Sequence, residues 1–178
     1  VPARPLLDRI AADLPRWASE NPRAAESITF AGNGEPTLHP AFSEAVALAT
    51  RIRDQLLPDV PMNLFTDGVH LVDSSVRDAA KYFSRVFLKL DGASQEGVDR
   101  INGPGAWGGM LSGIAVAREL PNVAASTALV GGTAANTANV KSLAYVDLVA
   151  TLQPRELFVY TLDYPSPSGT VVAVDFGT

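Results

Sequence analysis

The sequence predicts an α/β fold built on a parallel sheet. Short runs of β-branched and aromatic residues alternate with segments whose apolar residues recur at helical spacing, and the order begins with a helix. The runs are almost continuously apolar, which is typical of parallel strands covered by helices on both faces. A closed eight-stranded barrel takes about 250 residues, and this chain has 178. We therefore expect a single domain over 1–178, with five strands in an open doubly wound sheet or a partial barrel.

The first third of the chain is predicted to form two helices around one strand. Apolar residues at i, i+3 and i+4 predict a helix over 6–17, which Pro15 is expected to interrupt. A strand follows over 27–31. The next helix is expected to begin at Pro40, because proline suits the first position of a helix. Its buried face is predicted to consist of Phe42, Val46, Ala49, Ile52 and Leu56.

The middle of the chain continues the alternation. Strands are predicted over 62–66 and 85–90, with a short helix over about 74–82 between them. Ser74, or the serine after it, is a credible N-cap, because a serine hydroxyl accepts hydrogen bonds from the backbone N–H groups of a first helical turn. A loop rich in glycine is expected over 102–109.

The last third is predicted to hold two helices, two strands and a tail. The helices are expected over 111–119 and 140–152, and the strands over 124–130 and 157–162. Residues 165–178 have no clear period and are expected to be an irregular tail. The inward face of the helix over 140–152 is predicted to consist of Leu143, Val146, Val149 and Ala150.

Composition excludes several classes of protein. Apolar residues make up 47% and charged residues 19% of the chain, which rules out a disordered chain. A net charge of −5 disfavours a nucleic-acid-binding surface. No apolar stretch is long enough to span a membrane and no signal peptide is visible, so we expect a cytoplasmic protein. Cysteine is absent, which excludes disulfides and thiolate ligands, and the two histidines, His39 and His70, are too few for a zinc site without added carboxylates.

Function is expected at the carboxyl ends of the strands, where open parallel sheets and barrels bind their ligands. The predicted ends are 32–35, 66–67, 89–91, 131–132 and 162–163.

The first of these strand ends carries the most informative residues. Gly32 and Gly34 precede Glu35 and Pro36. Glycine lets the backbone turn sharply and lets a ligand approach main-chain groups, and Pro36 biases Glu35 toward an extended conformation. A row of main-chain carbonyls with one carboxylate suits a ligand ammonium group. A plain strand-to-helix turn with a solvated glutamate would explain the same residues.

Residues 32–38, Gly-Asn-Gly-Glu-Pro-Thr-Leu, resemble the Gly-Gly-Glu-Pro motif of radical S-adenosylmethionine (SAM) enzymes. They are most similar to the subgroup in which this motif has the sequence Gly-Asn-Gly-Glu-Pro-Thr-Leu. Weaker matches follow in order. Residues 64–68 are similar to a family strand ending in Thr-Asn-Gly, 89–93 to Ser-Leu-Asp-Ala, 100–104 to Arg-Ile-Asn-Arg-Pro, and 160–165 to the sixth strand and its exit. The likeness covers nearly the whole chain.

The resemblance implies a partial (β/α)6 TIM-like barrel that binds SAM and a [4Fe–4S] cluster and forms a 5′-deoxyadenosyl radical. In the family the motif contacts the methionine amino group of SAM, a role that falls by position on Asn33, Gly34 and Glu35. The catalytic residues and the substrate are not implied. The cofactor-binding positions that the resemblance implies are Asn33, Gly34, Glu35, Pro36, Thr66, Asp67, Lys89 and Asp91.

The chain also departs from the family pattern. The family's three-cysteine motif follows its first strand, just upstream of the helix that opens this chain, and this chain has neither that strand nor a cysteine. We expect either that the N-terminal segment has been removed or that the protein is a degenerate, non-catalytic relative. Asp67 replaces the usual asparagine. Lys89 replaces the usual serine, and it would be able to pair with Glu35, Asp67 or Asp91.

Other interpretations of the same residues stay open. Glu35, Asp67 and Asp91 are acids at three strand ends, which would suit a carboxylate-based or metal-dependent hydrolase. An alternative interpretation of Lys89 is a residue at the edge of the sheet, whose methylene groups cover apolar surface while its charged end stays in water. Asp163 is either a loop cap or a ligand.

The absent first strand has a consequence for assembly. Without it the strand over 27–31 becomes a sheet edge with unpaired backbone groups, and neither proline nor lysine protects it. The apolar stripe of the first helix also loses cover, and each large apolar side chain left in water costs about 1.5–3 kcal/mol. We expect the chain to associate with itself through Ile28 to Ala31, or to bind a partner that supplies a strand.

Overall fold

The structure, a computed structural model, describes residues 3–21, 25–32, 34–161 and 171–174. The α-helices are α1 Ala3–Glu20, α2 Phe42–Leu56, α3 Ser74–Ala80, α4 Gln95–Asn102, α5 Ala106–Ala117, α6 Thr137–Val140 and α7 Leu143–Leu152. The strands are β1 Ile28–Phe30, β2 Met62–Thr66, β3 Arg85–Lys89, β4 Val123–Ala128, β5 Val130–Gly131, β6 Leu157–Tyr160 and β7 Val172–Ala173. Short 3₁₀ turns lie at Pro36–Leu38, Val69–Val72 and Gly132–Ala134. None of the helices in these ranges is long and apolar enough to cross a membrane.

Five of these strands form one sheet, in the order β1-β2-β3-β4-β6. β1 runs parallel to β2 with Ile28 beside Met62, and β4 runs parallel to β6 with Ala125 beside Leu157. Over the described ranges the sheet is open rather than closed into a barrel. The predicted α/β fold with a five-stranded parallel sheet is confirmed.

The chain divides into two compact units, of which the first comprises Val1–Thr66 and His70–Val86. In this unit α1 packs against α2, and α2 against α3. Phe30 lies edge-on to both Phe42 and Phe83, with ring centroids 6.2 Å and 5.2 Å away. Aromatic pairs of this kind add about 0.5–1.5 kcal/mol each beyond the area they bury. The aromatic cluster holds β1 against α2, and therefore fixes where the chain leaves β1.

The second unit comprises Asp67–Val69 and Phe87–Thr178. Here α5 lies close to the segment 67–69, because a Cβ atom at Gly113 would come 2.5 Å from the carbonyl oxygen of Gly68. Gly68 itself has a φ of 81°, a conformation that glycine adopts without strain. Two glycines thus let α5 approach the residues that follow β2.

The predicted start of the second helix is wrong by two residues. α2 begins at Phe42 rather than Pro40. Ahead of it, the backbone N–H of Ala41 donates to His39 Nδ1 at 3.2 Å, and the N–H of Phe42 donates to the His39 carbonyl at 2.9 Å. His39 therefore organises the entry to the helix. At the other end of α2 the predicted core residue Leu56 is 45% exposed.

Two other predictions about helix ends are also wrong. Pro15 does not interrupt α1, which continues to Glu20 and is closed by the side-chain amide of Asn21 donating to the Trp17 carbonyl at 3.0 Å. α3 is capped by Asp73 rather than by a serine. The Asp73 carboxylate accepts from the backbone N–H of Ser75 at 2.7 Å. Hydrogen bonds from the Ser75 side chain, and then from its backbone, lower the pKa of Asp73.

The predicted glycine-rich loop is largely helical. α4 ends at Asn102 and α5 already begins at Ala106, whereas a helix start near 111 was expected. α4 was not predicted because it has only eight residues, of which Val98 and Ile101 are its two large apolar ones, and Val98 is the one that is buried. Gly109 lies inside α5 for a packing reason, since a Cβ atom there would come 2.8 Å from the Val69 side chain.

Two predicted strands end earlier than expected, and the tail contains a strand. β4 stops at Ala128, after which β5 turns away and pairs antiparallel with β7, Val130 beside Ala173. The predicted irregular tail is therefore ordered at Val172–Ala173. β6 ends at Tyr160, and the predicted end of that strand at 162 lies outside the described residues, as do residues 165–170 and 175–178 of the tail.

The inward face predicted for α7 is wrong. Leu143 is 83% exposed and Val146 is 58% exposed, whereas Tyr145, Leu148 and Leu152 are buried. Almost every residue of this helix is apolar, so spacing alone does not set which face turns inward. The buried contact of the Tyr145 hydroxyl with Thr127 sets it instead.

The orientation of α7 can be tested by two matched truncations. We expect Leu148→Ala to lower the free energy of unfolding by about 2–5 kcal/mol, because removing a buried leucine leaves a cavity. Leu143→Ala, on the solvent side of the same helix, should change it by no more than about 0.5 kcal/mol. Urea unfolding of both variants measures the difference, and a larger loss for Leu143→Ala would contradict the orientation.

Candidate functional site

The turn after β1 is built around the carboxylate of Glu35. Glu35 has φ −81° and ψ 115°, the extended conformation that the following proline predicts. It is the N-cap of the 3₁₀ turn Pro36–Leu38, and its Oε1 atom accepts from the backbone N–H of Thr37 at 3.1 Å and from the Thr37 hydroxyl. The sequence order glutamate–proline–threonine therefore produces a turn that orients its own acid.

The end of β2 reaches the same carboxylate. Thr66, the buried last residue of β2, donates its hydroxyl to Glu35 Oε1 at 2.7 Å. Three of the hydrogen bonds that Glu35 accepts thus converge on one oxygen atom, from Thr37 and Thr66. Donors that converge on one carboxylate fix its orientation, which favours recognition of a ligand cation. The structure therefore brings together two of the predicted cofactor residues, Glu35 and Thr66.

Gly34, just before this acid, is not required by the packing of the chain. It is exposed, and a Cβ atom built on it would meet no atom within 4 Å. Its small size therefore leaves open space beside the backbone at the exit of β1, which suits close approach by a ligand. Pro36 is half-buried and begins the 3₁₀ turn. The predicted site residue Asn33 lies outside the described residues.

In the second unit, Lys89 pairs with Asp91. The Lys89 Nζ atom lies 3.4 Å from Asp91 Oδ2, with the lysine side chain 36% exposed and the aspartate 2% exposed. The other oxygen of Asp91 accepts from the backbone N–H of Ala128 at 3.2 Å. The sequence predicted that Lys89 would be able to pair with Glu35, Asp67 or Asp91. Within this unit it contacts Asp91. A buried carboxylate needs such a partner, because an unpaired buried charge is strongly destabilising.

Asp67 and Lys89 line one cavity of about 300 Å³ in this unit. Asp67 follows β2, and its Oδ1 atom accepts from the backbone N–H of Val69 at 2.9 Å. Lys89 is the last residue of β3. The remaining wall comes from α4 and the first turns of α5, including Asn102, Gly105 and Met110. The cavity combines one acid, one base and apolar wall residues, as small-molecule pockets do.

The sequence analysis missed Asn136, which organises the strand ends of this unit. Its side chain is buried, donates to the Asp91 carbonyl at 2.9 Å and to the Ala128 carbonyl at 2.7 Å, and accepts from the Val130 N–H at 2.9 Å. It thus satisfies main-chain groups beyond the ends of two strands. No sequence signal distinguishes Asn136, because an asparagine before a short helix is ordinarily interpreted as the N-cap of that helix.

A buried hydroxyl pair lies beneath these strand ends. The Thr127 hydroxyl donates to the Leu90 carbonyl at 2.9 Å and is also hydrogen-bonded to the Tyr145 hydroxyl. Burial, and then the charge of Asp91, raise the pKa of Tyr145, while the hydrogen bond with Thr127 opposes them. The tyrosine links α7 to β4 and stays neutral over the physiological range.

The remaining predicted candidates are resolved as follows. Asp163 lies outside the described residues. His39 accepts a backbone hydrogen bond at the start of α2, which is a structural role. Among the described residues, no group of three or more His, Cys, Asp or Glu side chains could hold a metal ion.

Solved structures share this fold. TYW1 with a lysine-pyruvate adduct bound has a TM-score of 0.64 and 15% sequence identity, over 97% of this chain and 58% of TYW1. Archaeal TYW1 has a TM-score of 0.56 and 15% identity, over 86% of this chain and 54% of the other. Streptococcus suis SuiB bound to S-adenosylmethionine has a TM-score of 0.66 and 11% identity, over 91% of this chain and 36% of SuiB.

These comparisons show that the chain shares its fold with parts of TYW1 and SuiB. The chain spans no more than 58% of the length of any of the three structures. No protein-family model and no curated protein matches its sequence.

The burial of Tyr145 makes stability depend on alkaline pH. Because folding raises the pKa of Tyr145, its contribution is fully present below the ordinary tyrosine value of about 10 and is lost as the pH rises through the folded value. We expect Tyr145→Phe to cost about 1 kcal/mol at pH 7 and to lose less stability than the wild type between pH 9 and 11. Thermal unfolding against pH measures this. Tyr82→Phe, at a position 59% exposed, is the control, and equal alkaline losses in all three proteins would contradict the assignment.

Proposed function

We propose that this chain is the SAM-binding core of a radical SAM enzyme. The observation that carries the proposal is the Glu35 carboxylate, fixed by Thr37 and Thr66 at the carboxyl end of the sheet. The motif over 32–38 and the fold shared with TYW1 and SuiB point to the same family.

The chemistry of the turn suits the amino-acid end of SAM. A protonated amine binds best to a carboxylate together with neutral acceptors. Glu35 supplies the carboxylate, and Gly34 just before it is exposed, with open space beside it for the ligand. Because Oε1 is already held by Thr37 and Thr66, the carboxylate is oriented before the ligand arrives, which lowers the entropic cost of binding.

Of the predicted cofactor-binding residues in the second unit, we assign to Lys89, rather than to Asp91, the role of contacting a ligand. Asp91 is 2% exposed and is engaged by Lys89 and by the Ala128 N–H, so its role is to hold the lysine. Lys89 and Asp67 both line the 300 Å³ cavity. Asp67 offers an acceptor and Lys89 a donor to a small polar molecule.

The residues of this chain do not fit the iron–sulfur cluster of the family. A [4Fe–4S] cluster is held by cysteine thiolates and supplies the electron for SAM cleavage. None of the 178 residues is a cysteine. We therefore propose cofactor binding for this chain, and SAM cleavage only for a protein in which thiolates are supplied from elsewhere.

A second candidate function is that of a non-catalytic relative that keeps the fold and the SAM site. The absence of cysteine favours it. A hydrolase using Glu35, Asp67 and Asp91 has less support. Asp91 is buried against Lys89, and the described residues contain no cluster of three or more His, Cys, Asp or Glu side chains that could hold a metal ion.

Calorimetry with SAM tests the assignment of Glu35. We expect weak binding by the wild type and at least about tenfold weaker binding by Glu35→Ala, because a charge-assisted hydrogen bond is worth about 1.5–3 kcal/mol. Glu35→Gln keeps an oxygen acceptor for Thr37 and Thr66 and removes the charge, so it separates ligand binding from turn formation. Glu44→Ala, at an exposed acid of α2, is the control. Equal affinity in all four proteins would show that Glu35 does not contact the ligand.

Anaerobic reconstitution tests the assignment of the cluster. We expect the chain to retain no stoichiometric iron and to release no 5′-deoxyadenosine from SAM in the presence of a reductant, because it has no thiolate ligand. Iron analysis after gel filtration and chromatography of the nucleoside products measure the two outcomes. Stoichiometric iron with deoxyadenosine release would contradict the expectation.

A further inference from the structure

α4 is attached to the second unit by few contacts. Of its eight residues, Val98 is the one that is buried, at 1% exposed. The ion pair of Arg100 with Glu96 joins two side chains of the same helix, so it does not attach α4 to another element. At the C-terminal end of α4, Asp99 Oδ1 accepts from the backbone N–H of Trp107 at 3.1 Å, which connects α4 to α5. A helix with one buried side chain opens at a lower free energy than the core around it.

The same helix forms one wall of the cavity of about 300 Å³ that Lys89 lines. Val98 and Asn102 of α4 lie on one side of this cavity, and Met110 of α5, which is 3% exposed, lies on another. Lys89 itself is the last residue of β3. Movement of α4 would therefore change access to the cavity while the strand that carries the lysine stays in place.

The N-terminal end of α4 is held by the side chain of Asn139, a residue of α6. Asn139 Oδ1 accepts from the backbone N–H of Ala93, and Asn139 Nδ2 donates to the Ser94 hydroxyl oxygen at 2.7 Å. Ser94 is the N-cap of α4, and its hydroxyl oxygen also accepts from the Gly97 N–H at 3.2 Å. One amide side chain thus engages both the helix cap and the residue before it.

Two glycines make room for this side chain. A Cβ atom at Gly97 would come 2.8 Å from Asn139 Nδ2, and one at Gly92 would come 3.0 Å from Asn139 Oδ1. Neither glycine has a positive φ, so the backbone conformation does not require glycine at these positions. The closest contact at each is with Asn139, which indicates that this part of the chain is shaped to receive the asparagine.

We propose that α4 is the movable wall of this cavity and that Asn139 is the positioning residue that keeps it closed. With both hydrogen bonds formed, Val98 and Asn102 are held in place beside the ligand space. When the bonds break, α4 moves away from α6 and the cavity opens, so that a ligand enters or leaves, as happens at binding sites covered by mobile segments. The inference rests on the proposed function in one respect, that the cavity at Lys89 takes a ligand. Its tests use no SAM, so failure of the wall and failure of SAM binding are distinguishable.

The absence of cysteine allows a direct test, because a single introduced thiol reports access to the cavity. We expect Met110→Cys to react slowly with N-ethylmaleimide, since position 110 is buried in the cavity wall. Adding Asn139→Ala should raise the rate of alkylation by at least about tenfold, because both hydrogen bonds that hold α4 are lost. Asn139→Asp keeps an oxygen acceptor for the Ala93 N–H and loses the donor to Ser94, so its acceleration should be smaller. Mass spectrometry against time measures the rates.

Leu148→Ala in the Met110→Cys chain is the control for a loss of overall stability. It truncates a buried side chain of α7 and lowers the free energy of unfolding, yet it should leave the rate of alkylation unchanged. Equal acceleration by Leu148→Ala and Asn139→Ala would show that the thiol reacts through global unfolding, and would overturn the proposal. An Asn139→Ala variant that reacts no faster than its parent would overturn it as well.

A double-mutant cycle tests the contact between Asn139 and Gly97. Gly97→Ala places a Cβ atom where the Asn139 side chain lies, so we expect it to accelerate alkylation several-fold while Asn139 is present. In the Asn139→Ala background that space is vacant, and the same substitution should change the rate by less than about twofold. If the two effects simply multiply, the residues act independently and Asn139 is not the residue that holds α4.

Discussion

Where parallel strands end, their last main-chain groups lose the partners that the ladder provided, and in a covered sheet water does not replace them. Buried N–H and C=O groups left without partners cost about 1–3 kcal/mol each. In the second unit Asn136 supplies those partners for two strand exits, and Thr127 supplies one for Leu90. In the first unit Glu35 performs the same task for the turn after β1. The candidate site is therefore assembled from groups that the end of a sheet must satisfy in any case.

Because Glu35 satisfies main-chain groups beyond the end of a strand, it has two roles at once. Its Oε1 atom caps a 3₁₀ turn and receives the Thr66 hydroxyl from β2, so the acid is part of the fold. The same bonds hold the charge at the exit of β1 beside the open space at Gly34, so the acid is also presented to a ligand. Asp91 differs from Glu35, because its role is structural only. It is buried against Lys89 and the Ala128 N–H, which leaves the lysine as the exposed member of the pair.

The parts of the fold that the sequence predicts are those with a single dominant local signal. β2 is predicted to the residue, because it combines three large apolar residues with a β-branched threonine, and Asp67 and Gly68 follow directly. The conformation of Glu35 follows from Pro36 through a steric clash between neighbours. The phase of α7 could not be predicted, since its sequence is apolar on every side and the deciding contact, Tyr145 with Thr127, joins residues far apart in the chain. α4 has eight residues and one buried side chain, which is too short a segment for spacing to predict a helix. Asn136 joins the nearby main chain at Ala128 and Val130 to the carbonyl of Asp91, 45 residues away, so its full role exists only once the sheet is folded.

β1 sets the position of the Glu35 turn, which follows it by a few residues. The strand is attached to the rest of its unit by the cluster of Phe30 with Phe42 and Phe83. These contacts are made by apolar side chains and not by the turn itself. Burial of the aromatic rings therefore places the turn, and the hydrogen bonds from Thr37 and Thr66 then orient its carboxylate.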